Sequence, residues 1–168
     1  MGSVTVGDLE AAIDDPDPFV RRRAVQDIGH LTDMTQAPAL VDVLTDEDPT
    51  VVEMACWAAG EVERSDDQTI AALIAIATDH EDALCREAAV AALGAIGDPR
   101  GQPAVLAACT DKATVRRRAV LALAAFEGTG CIDALRALTA DRDLQVRQSA
   151  EDLLAIVEGQ SIGGVADS

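Results

Sequence analysis

The chain is poor in aromatic residues: two phenylalanines, one tryptophan and no tyrosine in 168 residues. Strands favour aromatic and β-branched side chains, so this shortage, with alanine filling much of the 49% hydrophobic share, predicts closely packed helices. No apolar run approaches the ~20 residues that span a bilayer. No charged-then-apolar leader opens the chain, so a soluble cytoplasmic protein with no membrane partner is expected. Cysteine is scarce and never paired as C-x-x-C. Cys56, Cys85, Cys109 and Cys131 each sit within an apolar helical stretch, and we read them as buried free thiols. The two histidines adjoin no nucleophile, and no glycine-rich phosphate loop follows a strand. No catalytic residue, metal site or cofactor is expected, and the chain reads as a non-enzyme.

Lysine occurs once, at Lys112, against twelve arginines, twenty aspartates and ten glutamates, for a net charge of −17. Self-repulsion on that scale is tolerated where salt screens it. The pattern resembles proteins of salt-accumulating halophiles and is read as a mark of habitat. It also argues against nucleic acid as a partner, because phosphate recognition needs basic surface.

What is present is repetition. "VRRRAV" stands at Val20–Val25 and again, unchanged, at Val115–Val120. Aligning these copies exposes three weaker ones, whose first core positions are Val20, Val51, Cys85, Val115 and Val146, spaced 31, 34, 30 and 31 apart. Counting that residue as offset 0, offset 4 is always alanine: Ala24, Ala55, Ala89, Ala119 and Ala150. Offsets 0, 4, 8 and 11 stay small or apolar and form one stripe on a 3.6-residue helix. Asp17-Pro18 and Asp48-Pro49 supply an N-cap and a first-turn proline. Gly29, Gly60 and Gly94 share offset 9 and suggest a crowded helix crossing. A second apolar series lies between these segments, with Pro38 and Pro103 near its helix starts. The chain thus alternates a first and a second helix five times. A unit of about 31 residues cannot bury its own apolar faces, but a stack of such units can.

The pattern D-x-x-V-R-x-x-A-x-x-x-L-G resembles the short HEAT-like repeat of the phycobilin-lyase type, from about Val6 to Val157. The expected fold is all-α, a right-handed α-solenoid of five two-helix HEAT-like repeats. The repeats fall at about 5–32, 33–64, 65–97, 98–127 and 128–158, and a disordered tail over 159–168 follows. The resemblance implies that the arginine at offset 1, here Arg21, Arg86, Arg116 and Arg147, pairs with aspartates of adjacent turns as a ladder. Val52 holds that slot in the second repeat, so the ladder should break there.

Two enzyme families are built on similar repeats. Deoxyhypusine hydroxylase holds two irons through His-Glu pairs. This chain has only His80-Glu81, and the third repeat reads Arg86-Glu87 at the matching offsets, so a diiron site is not expected. The phycobilin lyases work as paired solenoid subunits, which leaves a lyase-like subunit, or another protein-modifying subunit, as the alternative reading.

The favoured reading is a protein-binding adaptor whose second helices line a concave face. Small HEAT-like proteins of this type are similar to accessory adaptors in signalling and motility. Offsets 2, 6 and 10 point away from the core stripe. They place Trp57, Ala91, Leu121, Ala95 and Ala125 on that face, with Arg22, Glu53, Glu61, Glu87 and Arg117 as a polar rim. Trp57 has two readings: an interface anchor, or an indole folded sideways onto the neighbouring repeat and half buried. The expected partner is another protein, with a homodimer left open.

Overall fold

The computed structural model describes residues 6–31, 40–63 and 65–163. Ten α-helices follow one another among them: α1 Val6–Ile13, α2 Pro18–Gly29, α3 Val41–Leu44, α4 Pro49–Glu61, α5 Asp67–Asp79, α6 Ala83–Ile96, α7 Gln102–Ala108, α8 Ala113–Leu123, α9 Thr129–Leu138 and α10 Leu144–Gly163. No strand occurs among the described residues. No described helix is long and apolar enough to cross a membrane.

Each odd helix packs on the even helix after it. The even helices α2, α4, α6, α8 and α10 pack in order as one row, and α3, α5, α7 and α9 form a second row behind them. This is an α-solenoid of two-helix repeats. Pro38 and the boundary near residue 33 lie outside the described residues. The expected tail needs correction: α10 continues through Gly163, so 159–163 are helical, while 164–168 lie outside the described residues.

Five of the helices, α2, α4, α5, α6 and α10, start where aspartate satisfies amides that have no partner within the helix. Asp17 accepts from the Phe19 amide at 2.9 Å, Asp48 from Thr50 at 2.8 Å, Asp82 from Leu84 at 2.8 Å and Asp143 from Gln145 at 3.0 Å. Asp66 caps α5 through the Thr69 amide, and Asp98 caps a single 3-10 turn over Pro99–Gly101.

The core is narrow and made of small residues. Ala55, Ala89, Ala119 and Ala150 are fully buried at offset 4, with Val25, Val51, Val90, Val115 and Val120 around them. Leucine and isoleucine of the odd helices, such as Ile70, Leu73 and Leu135, fill the space between the rows. The glycines at offset 9 set the closeness of the even row. A Cβ on Gly94 would stand 2.7 Å from the Ala122 Cβ and 2.8 Å from its Cα, and one on Gly60 would stand 3.1 Å from the Ala92 Cα.

Arginine ties successive repeats together. Arg21 donates through Nε and an Nη to Asp46 at 2.7 and 2.8 Å, and through its other Nη to the carbonyl of Asp15 at 2.8 Å. Arg86 grips Asp111 at 2.7 and 2.8 Å and the His80 carbonyl at 2.7 Å. Arg116 grips Asp141 at 2.8 and 2.8 Å and the Asp111 carbonyl at 2.7 Å. In all three pairs the carboxylate lies 25 residues ahead. Among the described residues Arg147, in the fifth repeat, keeps only the carbonyl half, to Asp141 at 2.7 Å.

In the second repeat both sides of this pair have changed. Val52, 1% exposed, replaces the arginine. His80 stands two residues before the cap of α6, as Asp15, Asp46 and Asp141 stand before theirs. Its Nδ1 accepts the Asp82 amide at 3.1 Å, the turn bond that Asp46 and Asp141 make at 2.8 Å. His80 therefore completes a turn, with Nδ1 as an acceptor.

Both ends of the even row are polar. At offset 7, Ala58, Ala92 and Ala122 are buried, whereas α2 has Asp27, paired with Arg23 at 3.4 Å. At offset 5, Val25, Cys56, Val90 and Val120 are buried, whereas α10 has the exposed Glu151. These substitutions put charge on the outward sides of α2 and α10, where the inner repeats bury alanine, valine or cysteine.

Arg21, Arg86 and Arg116 hold the carboxyls of Asp46, Asp111 and Asp141 below the usual carboxylate range through their direct hydrogen bonds. Unfolding releases them to about 3.9, so the unfolded chain binds protons first. Their stabilisation is complete above that value and disappears as pH falls through the folded values. Denaturation midpoints should therefore drop steeply below about pH 4. Arg116→Met should cost about 2–3 kcal/mol in urea at pH 7, because it strands the Asp141 charge. Adding Asp141→Asn should recover most of that loss. Gly94→Ala should also destabilise, by about 1–3 kcal/mol through overpacking, despite its better helix propensity. Gly7→Ala, in α1 with open space around it, should be neutral or stabilising.

Candidate partner-binding groove

The even helices expose one side to solvent, and the small residues that bring them together leave a depression there. A groove of about 530 Å³ runs across α2, α4, α6 and the start of α8. Its floor consists of Met54, Trp57, Gly60, Leu84, Ala88, Ala91, Ala92 and Ala95. Its edges carry Arg22, Gln26, Thr50, Glu53, Glu61, Glu87 and Arg118. Alanine makes the floor shallow and broad, since each contributes only a methyl group.

Trp57 lies on this floor but is turned toward the preceding repeat. Its ring packs against Gly29, where an added Cβ would collide with it, and meets His30 edge-on, with centroids 5.2 Å apart at 67°. The indole is half buried and contacts the core, so it is part of the repeat junction as well as of the groove wall.

The structure brings together seven of the residues singled out for this face: Trp57, Ala91, Ala95, Arg22, Glu53, Glu61 and Glu87. Three others lie outside the groove. Leu121, 57% exposed on α8, and Ala125, in the turn after α8, stand beyond the groove's end. Arg117 is bound to Asp143 at 2.6 and 3.1 Å, where it bridges α8 to the cap of α10. That contact, with the Val146 amide, brings the Asp143 carboxyl down to about 2. Arg118, which the sequence offered as local positive charge and not for this face, takes the rim position and reaches Glu87 at 3.5 Å. Met54, Ala88 and Arg118 share offset 3, which opens onto the groove.

The remaining chemistry belongs to the core. All four cysteines are free and buried. Burial pushes the Cys56 thiol far up and the thiols of Cys85 and Cys109 up to about 11. No group of three or more histidine, cysteine or acidic side chains is placed to hold a metal ion among the described residues.

A family model described as HEAT repeats matches residues 8–94 and again 70–155. The chain belongs to the HEAT-repeat family. Among solved structures this HEAT-repeat protein is similar to a designed armadillo repeat protein in complex with the peptide (KR)4. The two are 20% identical with a TM-score of 0.67, over 89% of this chain and 80% of that one. It is also similar to a crystallised engineered protein, 23% identical with a TM-score of 0.67, over 92% and 81% of the two chains. At these identities the likeness is one of fold. No curated protein matches the chain.

Because Trp57 is a junction residue, Trp57→Ala should cost about 1–2 kcal/mol of stability, part of the loss for a fully buried ring. Chemical denaturation followed by circular dichroism measures it.

Proposed function

We propose that this HEAT-repeat protein is a binding scaffold that holds another protein against the groove of its even helices. One observation carries the reading: an apolar floor of alanines with Met54, Leu84 and Trp57 is left open between charged rims. Interfaces combine these parts, a central apolar patch that excludes water and a polar edge that sets orientation. Leu84 is 54% exposed on that floor, and covering it releases ordered water. Arg22, Glu53 and Glu61 make no ion pair among the described residues and are open to a partner's charges. The designed armadillo protein shows that a fold of this kind can carry a peptide.

We also read the repeat as the short phycobilin-lyase-type subclass, on its 30–34-residue spacing and its arginine at offset 1. The reading is of a scaffold without chemistry of its own, working in a salt-rich cytoplasm that screens its acidic surface.

Ala91→Gln fills the middle of the floor without changing charge. Ala137→Gln, on the exposed face of α9, serves as its control. In a pulldown at high salt, partners retained by the wild type and the Ala137 variant should be lost with Ala91→Gln. Retention by all three proteins, with folding verified, would place docking elsewhere.

A further inference from the structure

We propose that the occupant of the groove is an amphipathic, positively charged segment of a partner protein, with apolar side chains on the alanine floor and lysine or arginine against Glu53 and Glu61. The proposal rests on the groove being the docking face and adds the chemistry of what docks there.

The carboxylates decide it. Glu53 and Glu61 are eight residues apart on α4, so about 12 Å separates them along the helix axis at 1.5 Å per residue. Both are exposed and make no ion pair among the described residues, and both border the apolar floor. Glu87, across the groove, already shares its charge with Arg118. A partner that covers the floor displaces water from around Glu53 and Glu61, where an unpaired carboxylate becomes costly and a cation becomes favourable. An acidic segment would set like charges against them in a medium of lowered dielectric.

The wider field acts in the same direction. At −17 the whole molecule attracts cationic segments and slows anionic ones before contact, which affects on-rate more than affinity. Charge alone does not define the occupant, because the floor between the carboxylates is apolar. A purely polar cation would leave Met54, Leu84 and Trp57 wet. Arg22 of α2 and Arg118 of α8 add positive charge on the helices flanking α4 and α6, where acidic side chains of the segment would sit.

Trp57 is the only tryptophan in the chain, so its emission reports on the groove without a label. Three synthetic probes distinguish the terms: a 14-residue amphipathic peptide of leucine and lysine, its counterpart with glutamate for lysine, and an oligolysine of equal charge. They are titrated into the full chain at about 0.15 M salt, where surface charges beyond roughly 8 Å are screened. The leucine–lysine peptide should saturate one site and shift the emission. Glu53→Gln with Glu61→Gln should weaken it about tenfold. Glu10→Gln with Asp42→Asn, the same charge change on α1 and α3, should weaken it less than twofold. Equal binding by the leucine–glutamate peptide or by oligolysine would overturn the proposal. So would leucine–lysine binding that ignores Glu53 and Glu61 but is lost with Ala91→Gln, and in each of these cases the docking face would stand. Failure of every probe to bind in an Ala91-dependent way would overturn both.

Discussion

The arginine that reaches back to a carbonyl of its own turn and forward to a carboxylate 25 residues on is the interaction that orders this molecule. Neither helix of a repeat can bury its apolar face alone, and stacking supplies the burial. Apolar burial alone, however, tolerates sliding and rotation between neighbours. A planar guanidinium clamped on two sides does not. Arg21, Arg86 and Arg116 therefore set the step between units, while the glycines at offset 9 set its closeness. The groove follows from this close packing: small residues, Gly60 among them with Ala88, Ala91, Ala92 and Ala95, make up most of its floor.

Aspartate acquires a second meaning in this structure. The acidic excess reads in the sequence as adaptation to salt. Yet of the twenty aspartates, Asp17, Asp48, Asp66, Asp82, Asp98 and Asp143 cap helical turns, and Asp15, Asp46, Asp111 and Asp141 occupy the position two or one residues before a cap. Half of the aspartates are thus tied to the turns of the repeat. A glutamate, one methylene longer, would not make the same short turn bonds.

Much of the fold is legible because a repeat shows each position five times. Alanine at offset 4 and glycine at offset 9 are recognisable by recurrence, and a single copy would not have revealed them. The groove is less legible. Offsets on an isolated helix say which side faces away from the core, but not how neighbouring helices are displaced. Leu121 and Ala125 lie off the floor, and Met54 and Ala88 are on it. Arg117 and Arg118 are adjacent, identical letters, yet one bridges to the cap of the next even helix and the other points to a rim. The turn of Trp57 onto Gly29 was open in the sequence, since both the exposed and the folded-back indole satisfy the same spacing.

The junction between the second and third repeats is of another kind from the rest. Val52 stands where the clamp should be, and His80 has taken over only the turn bond, so this joint rests on apolar contact and on the Cys85 thiol, which donates to the Pro49 carbonyl at 3.2 Å. Contacts of that sort do not depend on a carboxylate's charge, whereas the arginine clamps of its neighbours are lost as their aspartates protonate. The five units are therefore not equal links in a chain. Acid would loosen the three clamped joints while this one holds, so the groove, centred on that joint, is the part least altered as pH falls.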